Sequence, residues 1–323
     1  MLEILKPGFL TTVQDQGRLG YQSYGVGVAG ALDPFALAAA NLLVGNEEGA
    51  AGLEMTLLGP ALRFHAETLI AVTGADLRPL LDGRPVPSWT CLRVPSESTL
   101  TFAGAKSGVR AYLAVAGGID LPPVMGSRST YLLGRFGGLE GRPLRAKDRL
   151  PAASPPANAN QRVGTALPEA LRPPYAKSPG LRVIRGPFDD YFAPEGMQTF
   201  LSTAYTISPN SNRMGYRLSG EPIPRQKAGE LITCGLANGT IQVPPDGQPI
   251  VLLADRQTIG GYPIIGVLIS ADLPLIAQCG PGDQLRFAAV SLEDARHAYL
   301  RLWSNLRNFF QAGGDKAGPR KSA

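Results

Sequence analysis

The chain has 323 residues, of which 44% are hydrophobic and 18% charged, a composition typical of a globular protein with room for two domains. All five charges of its net +5 fall within residues 296–323. Residues 1–295 have equal numbers of basic and acidic side chains, so the sequence does not indicate a basic surface for binding DNA or RNA. The 39 glycines and 29 prolines favour short strands joined by tight turns, so we predict a mainly β protein.

Cysteine usage and the N-terminus indicate the compartment. Cys91, Cys234 and Cys279 are odd in number and lack CxxC spacing, so neither a disulfide framework nor a zinc site is predicted. The N-terminus lacks a basic region followed by an apolar segment, and no apolar run is long enough to cross a bilayer. We expect a cytoplasmic protein.

Residues 1–150 are predicted to form an N-terminal β-rich domain. Alternating and apolar patterns indicate strands near 53–58, 69–73, 100–102 and 109–115, with Asp82-Gly83 as a hairpin turn. One helix is predicted over 34–44. Asp33 is its N-cap, Pro34 occupies the first helical position, and Gly45 ends it.

A proline-rich stretch, 151–180, is predicted as a linker or crossover between domains. Residues 181–311 then form the second predicted domain, a β-barrel with a short helix near 195–202, strands near 206, 241, 250, 264 and 284–290, and a C-terminal helix. Ser291 caps that helix, whose apolar face we expect to pack on its own barrel or, as the alternative, on a partner. The tail 312–323 is predicted to be disordered. The residues of the apolar face are Ala295, Ala298, Tyr299, Leu302, Trp303, Leu306, Phe309 and Phe310.

A short internal repeat, an echo of five residues, indicates that the two halves of the chain are related. Residues 17–21 read GRLGY and residues 212–216 read NRMGY. Both strings lie near the beginning of their half of the chain. They lead us to predict two related β-barrels.

Several common site types are excluded by the sequence. Gly25, Gly27 and Gly30 satisfy GxGxxG, but no apolar strand precedes them and no βαβ unit surrounds them. No P-loop string occurs, so ATP use needs a different site or another protein chain. The only histidines, His65 and His297, are too few and too isolated for a Ser-His or Cys-His nucleophile or a metal cluster.

The strongest candidate site follows the apolar run 250–254. A strand that ends in donors and acceptors and then a glycine turn is a common way for β-scaffolds to build small-molecule sites, although the same pattern also fits a solvated turn. Asp255 is a candidate catalytic base or, alternatively, a salt-bridge partner of Arg213. The predicted substrate-binding residues here are Gln242, Gln257, Thr258, Gly260, Gly261 and Tyr262.

Three arginines in glycine-bounded turns complete the prediction. Arg18, Arg128 and Arg213 each carry a planar fork that binds carboxylate or phosphate in a bidentate manner. Arg128 and Arg213 are assigned as catalytic, and Arg18 and Ser127 as substrate-binding. For each arginine a structural role is the alternative, in which the side chain bonds to loop carbonyls or to a buried aspartate.

The order of specific sequence blocks resembles the biotin-dependent carboxyltransferase family. The resemblance covers about residues 3–290 and fades in the linker and after Val290. Ile259 departs from the family's QTTGGYP block, where a second threonine is expected. The blocks are VQDQGRLGY (13–21), GALDPFALAAANLLVGN (30–46), AVTGADL (71–77), YLAVAGGI (112–119), GSRSTY (126–131), SNRMGYRL (211–218), IQVPPDGQPI (241–250) and LADRQTIGGYP (253–263).

This resemblance implies a cyclophilin-like β-barrel architecture and a heteromeric enzyme. The implied activity is that of one component of an ATP-dependent 5-oxoprolinase, which opens the lactam of 5-oxo-L-proline to L-glutamate. The implied partners are a KipI-like B-type component and a LamB/YcsF-like A-type component, with ATP as co-substrate. The chain has no biotinylation motif and no metal-ligand spacing.

Two alternatives also follow from the resemblance. The chain is then either a carboxyltransferase component serving a urea- or allophanate-type biotin-dependent carboxylase, or a KipA-type regulatory protein that binds a KipI-like kinase inhibitor. Neighbouring genes for the A-type and B-type components favour the lactamase, whereas a biotin carboxylase with its carrier favours the carboxyltransferase.

Overall fold

The computed structural model describes residues 1–227 and 231–313. The chain divides into two compact units: residues 1–17, 33–173 and the chain from Leu302 form the first, and residues 18–32 and 174–301 form the second. These units differ from the predicted domains, because segments distant in sequence pack together. Of the predicted tail, residues 314–323 lie outside the described residues.

The first unit contains two β-sheets whose buried side chains share one apolar core. The six-stranded sheet has the order β11-β1-β4-β9-β6-β7, and the five-stranded sheet has the order β2-β3-β10-β5-β8. The second barrel predicted from the internal echo is therefore not found among the described residues of this unit. The strands are β1 Leu2–Lys6, β2 Leu10–Gln14, β3 Gly52–Thr56, β4 Ala61–Phe64, β5 Thr68–Asp76, β6 Pro79–Leu81, β7 Arg84–Pro85, β8 Leu92–Val94, β9 Thr99–Phe102, β10 Ser107–Val115 and β11 Arg149–Leu150.

Helix α1, Pro34–Leu43, begins and ends close to the predicted residues. The Asp33 carboxylate accepts a hydrogen bond of 2.8 Å from the Ala36 backbone N–H, which satisfies one of the donors left free at a helix start. Gly45 follows with φ +83°. These local interactions confirm the predicted cap and stop.

The second unit contains a closed seven-stranded barrel with the order β12-β19-β16-β17-β14-β13-β20. All neighbouring strands are antiparallel except β12 and β20, which are parallel. The mainly β fold and its barrel are thus confirmed. The elements are β12 Gly180–Arg185, α2 Pro194–Ser202, β13 Tyr205–Ile207, β14 Gly215–Ser219, β15 Cys234–Gly235, β16 Thr240–Gln242, β17 Ile250–Leu252, β18 Ile259–Gly260, β19 Ile264–Leu268, α3 Leu273–Ala277, β20 Gln284–Ala289 and α4 Leu292–Gln311.

Helix α4 starts at the predicted cap, since the Ser291 hydroxyl accepts a 3.0 Å hydrogen bond from the Asp294 backbone N–H. From Leu302 onward it packs within the first unit, where the rings of Trp303 and Phe35 lie 6.0 Å apart. The predicted apolar face is buried or half-buried except at Tyr299, which is 41% exposed. The helix therefore packs within the chain, but its second half belongs to the first unit and not to the barrel.

The predicted linker 151–180 has little regular structure. It contains two single-turn 3-10 helices, Ala159–Arg162 and Glu169–Leu171. Leu167 is nevertheless completely buried, and the stretch up to Pro173 belongs to the first unit. Much of it is part of a packed unit.

None of the helices in the described part of the chain combines the length and apolar character that a helix needs to cross a membrane.

Candidate functional site

The segment 253–263 follows β17 at one end of the barrel. The polar side chains of its first half are already bonded to other protein groups. Arg213 donates from Nε to Asp255 Oδ2 and from Nη2 to Asp255 Oδ1, both at 2.9 Å. The side chains are only 5% and 4% exposed. The salt bridge left open by the sequence is therefore present, and it engages both oxygens of the proposed base. The catalytic roles of Asp255 and Arg213 stay predictions.

The glycine-rich loop that matched GxGxxG packs against the same end of the barrel. The backbone N–H of Ala29 donates to the carbonyl of Ala254 at 3.1 Å, and Arg213 Nη2 donates to the carbonyl of Gly30 at 2.6 Å. The loop thus contacts protein backbone and the buried arginine.

Arg256, the next residue of the segment, is also held by protein contacts. It is 5% exposed, and it donates from Nε to the Leu236 carbonyl at 3.0 Å and from Nη1 to the Leu253 carbonyl at 3.3 Å. Burial lowers its pKa to about 10, because removing a cation from water disfavours the charged form. The side chain ties the polar segment to the backbone that directly follows β15.

Gly260 does not form the predicted turn with Gly261. Ile259–Gly260 is strand β18, paired with β15 so that Gly260 lies opposite Cys234, and the chain turns instead at residues 254–255. A Cβ on Gly260 would lie 2.8 Å from Gln242 Nε2. Glycine here allows a close approach to Gln242 and does not reverse the chain.

The strand register places one polar row on the outer face of the barrel. Arg217 of β14 and Gln242 of β16 both lie opposite Ile250 of β17. Residues directly opposite each other in an antiparallel pair share a face. The neighbouring row of Tyr216, Val251 and Ile241 belongs to the barrel core, so the row from Arg217 to Gln242 points away from it.

A cavity of about 180 Å³ lies over this row. It contains three of the predicted substrate-binding residues, Gln242, Gln257 and Tyr262, and adds Arg217, which sequence reasoning missed. No spacing in the sequence reveals the register that brings these strands together. The lining residues are Asn210, Asn212, Met214, Gly215, Arg217, Gln242, Ile250, Leu252, Gln257 and Tyr262.

The remaining predicted residues of the second unit do not line this cavity. The backbone carbonyl of Thr258 accepts a 3.0 Å hydrogen bond from Leu236 N–H, and Gly261 only adjoins the cavity residue Tyr262. Arg18 is completely buried, and its backbone N–H donates to Val28 at 2.7 Å. Their proposed contact with substrate stays a prediction.

The predicted residues of the first unit, Ser127 and Arg128, belong to a polar cluster around Asp15. The hydroxyl of Ser127 donates to Asp15 Oδ1 at 2.7 Å, and the backbone N–H of Arg128 donates to Asp15 Oδ2 at 2.5 Å. The Arg128 guanidinium donates to Leu121 O at 2.6 Å and to Asp120 Oδ1 at 3.0 Å. Arg128 therefore ties its own loop together. Its assignment as catalytic stays a prediction.

Within residues 1–227 and 231–313, no group of three or more His, Cys, Asp or Glu side chains is arranged to hold a metal ion.

The family is established by comparison with known proteins. The family model described as carboxyltransferase domain, subdomain A and B, matches residues 24–289. This match covers most of the chain and includes the whole barrel segment that carries the cavity. The chain belongs to this carboxyltransferase-domain family.

Individual relatives fall into two groups. The chain is 43% identical over 300 residues to the C-type subunit of 5-oxoprolinase from Escherichia coli (strain K12), a match that covers 92% of this chain and 94% of that protein. It is 38% identical over 298 residues to the corresponding 5-oxoprolinase protein of Haemophilus influenzae, covering 91% and 93%. The crystal structure of Kluyveromyces lactis urea amidolyase superposes with a TM-score of 0.90 at 32% identity, but 95% of this chain matches only 20% of that one.

Proposed function

We propose that this chain is the C-type component of an ATP-dependent 5-oxoprolinase that opens 5-oxo-L-proline to L-glutamate. The observation that carries the proposal is its similarity to the corresponding Escherichia coli 5-oxoprolinase protein, which extends over 94% of that relative. The chain works in the cytoplasm with a KipI-like B-type component and a LamB/YcsF-like A-type component. It contributes to the reaction only within that complex.

The chemistry explains why ATP is required. A lactam carbonyl is too stable to hydrolyse unaided, so its oxygen attacks the γ-phosphorus of ATP and ADP leaves. Water then adds to the activated carbon, the ring C–N bond breaks with protonation of the amine, and a second water releases phosphate from the acyl phosphate. Donors that are already oriented towards the developing negative charge lower the barrier of such steps.

The cavity supports a role for this chain in holding the lactam. Gln242 and Gln257 are amides that donate and accept hydrogen bonds, and both line the cavity. The buried pair of Asp255 and Arg213 holds the segment that carries Gln257. In this proposal the pair is a positioning element and the amides contact the substrate.

Reconstitution tests the proposal. The three components are co-purified, and release of ADP and glutamate from 5-oxoproline is measured with and without ATP. We expect turnover only when this chain, both partners and ATP are present. A complete complex that leaves 5-oxoproline unchanged would rule the proposal out.

The likeness to urea amidolyase favours a second candidate function, transfer of a carboxyl group to urea. Its specific support is the TM-score of 0.90, although this chain spans only 20% of that protein. Incubation with a carboxylated biotin carrier and urea separates the two candidates. Carboxylation of urea without opening of 5-oxoproline would replace the first proposal by the second.

A further inference from the structure

The outer cavity of the barrel has one cation and no acidic side chain among the described residues that line it. That cation is Arg217, and it forms no ion pair within residues 1–227 and 231–313. Two other arginines of the second unit do form ion pairs. Arg213 is paired with Asp255, and Arg182 is paired with Asp272. A guanidinium beside a cavity that has no protein carboxylate is suited to bind a ligand that carries a carboxylate.

A second, independent observation comes from Gln242, of which only 2% is exposed. Its Nε2 donates to the Tyr262 carbonyl at 3.3 Å. Gln242 lines the cavity. An amide side chain offers donors and an acceptor, and since Nε2 is engaged by Tyr262, the Gln242 oxygen is the group that would accept a hydrogen bond from a ligand N–H.

The spacing of these groups sets the size of the ligand. Arg217 and Gln242 flank Ile250 from the two neighbouring strands, so their main chains are about 10 Å apart at two strand spacings. Ile250 and Leu252 form the apolar part of the lining between them. The volume of about 180 Å³ is smaller than the roughly 300–1,000 Å³ of sites for drug-sized ligands.

We infer that this cavity recognises a small cyclic amide with a neighbouring carboxylate, in which Arg217 binds the carboxylate and Gln242 accepts from the ring N–H. The inference rests on the proposed function and deepens it, because 5-oxoproline has a carboxylate on the ring carbon next to its N–H. The ring methylenes then lie on Ile250 and Leu252. Urea, which has no carboxylate, makes no use of Arg217.

Binding to the reconstituted complex without ATP tests this inference, with radiolabelled 5-oxoproline in equilibrium dialysis. We expect Arg217→Gln to weaken binding by about tenfold to a hundredfold, the range of a lost hydrogen bond to a charged group. Arg217→Lys recovers part of the loss because the charge remains. The matched control is Arg185→Gln, another exposed barrel arginine that does not line the cavity, and it binds like the wild type.

A ligand without the carboxylate provides a second test. Unlabelled 2-pyrrolidinone, the same lactam without a carboxylate, competes with equal strength for wild type and Arg217→Gln if the arginine reads the carboxylate. The inference is overturned if Arg217→Gln binds 5-oxoproline within twofold of wild type, if 2-pyrrolidinone loses as much affinity, or if the wild-type complex binds no 5-oxoproline. Normal binding without turnover supports the inference and contradicts the proposed reaction.

Discussion

The segment 253–263 has two halves that use polar side chains in opposite ways. In the first half, the Asp255 carboxylate and the Arg213 guanidinium satisfy each other and are almost completely buried. In the second half, Gln257 and Tyr262 are exposed at a cavity, which Gln242 of strand β16 also lines.

This difference separates groups that stabilise the fold from groups that are free to bind. A buried charge that loses its partner destabilises the protein strongly. An amide or guanidinium at a cavity can exchange water for ligand at little cost to the fold. Substitutions in the two halves should therefore change different quantities, stability in the first half and ligand affinity in the second.

The largest expected effect is on stability, from Asp255→Asn. This change leaves the Arg213 guanidinium buried without its counter-charge, and we expect the free energy of unfolding to fall by about 3–5 kcal/mol. Chemical denaturation of the full chain measures it. A loss below about 0.5 kcal/mol, the usual range of a neutral surface substitution, would contradict a structural role for the pair.

A double variant is the control for this prediction. Arg213→Met combined with Asp255→Leu removes both charges and keeps apolar bulk in their place, and similar replacements of buried ion pairs are often neutral. We expect it to recover most of the lost stability. It should not recover catalytic turnover if the pair positions Gln257.

Gly260→Ala should have an intermediate effect, and on affinity. The added Cβ would lie 2.8 Å from Gln242 Nε2 and 2.9 Å from Leu236 Cδ1, so the amide must shift. Both atoms are the far ends of flexible side chains, which can move away at little cost to stability. We expect KM for 5-oxoproline to rise about tenfold because Gln242 leaves its binding position. Steady-state kinetics of the reconstituted complex provide the measurement.

Gly261→Ala is the matched control, since its Cβ would meet its nearest neighbour, the Leu231 carbonyl, only at 3.4 Å. Its KM should stay within about twofold of wild type, a change of less than about half a kcal/mol. Equal effects of the two alanines would show that the position of Gln242 does not control binding.

The smallest expected effect concerns a less buried ion pair in the first unit. Arg142 donates to both oxygens of Asp148 at 2.7 and 3.0 Å, and these hydrogen bonds hold the pKa of Asp148 below its usual 3.8. The pair therefore stabilises the fold above about pH 4, and this contribution is lost as the pH falls through the lowered pKa.

Arg142→Gln should remove that pH dependence. We expect unfolding free energy measured between about pH 5 and pH 2 to fall less steeply in the variant, with a difference of about 1 kcal/mol because the pair is partly exposed. If the free energy of unfolding depends on pH equally in wild type and Arg142→Gln, the ion pair with Arg142 contributes nothing to stability. A contribution from the Asp255 pair would then have to come from its burial.

Local signals predicted the elements that depend on neighbours in the chain. Asp33 caps α1 through a residue three positions away, and Ser291 caps α4 in the same manner. The apolar positions of α4 follow the helical period. Such interactions close within one turn of helix, so their partners are visible in a short stretch of sequence.

Long-range pairing accounts for the features that the sequence missed. The prediction of Gly260 as a turn residue was wrong because its strand partner, Cys234, lies 26 positions earlier in an equally short strand. Arg217 was not selected because only the register of β14 and β17 shows that it lies beside Ile250. The internal echo predicted two barrels, but five residues carry no information on how sheets close.

Composition, caps and specific sequence blocks were sufficient to predict a mainly β chain, the helices α1, α2 and α4 but not α3, the family resemblance and the polar segment after β17. The tertiary structure decided which polar groups of that segment are already satisfied. It paired Asp255 with Arg213 across 42 positions and left Gln242 and Arg217 beside a cavity. The physical reason is that the cost of a buried polar group depends on its partners, and in a barrel those partners come from strands far apart in sequence.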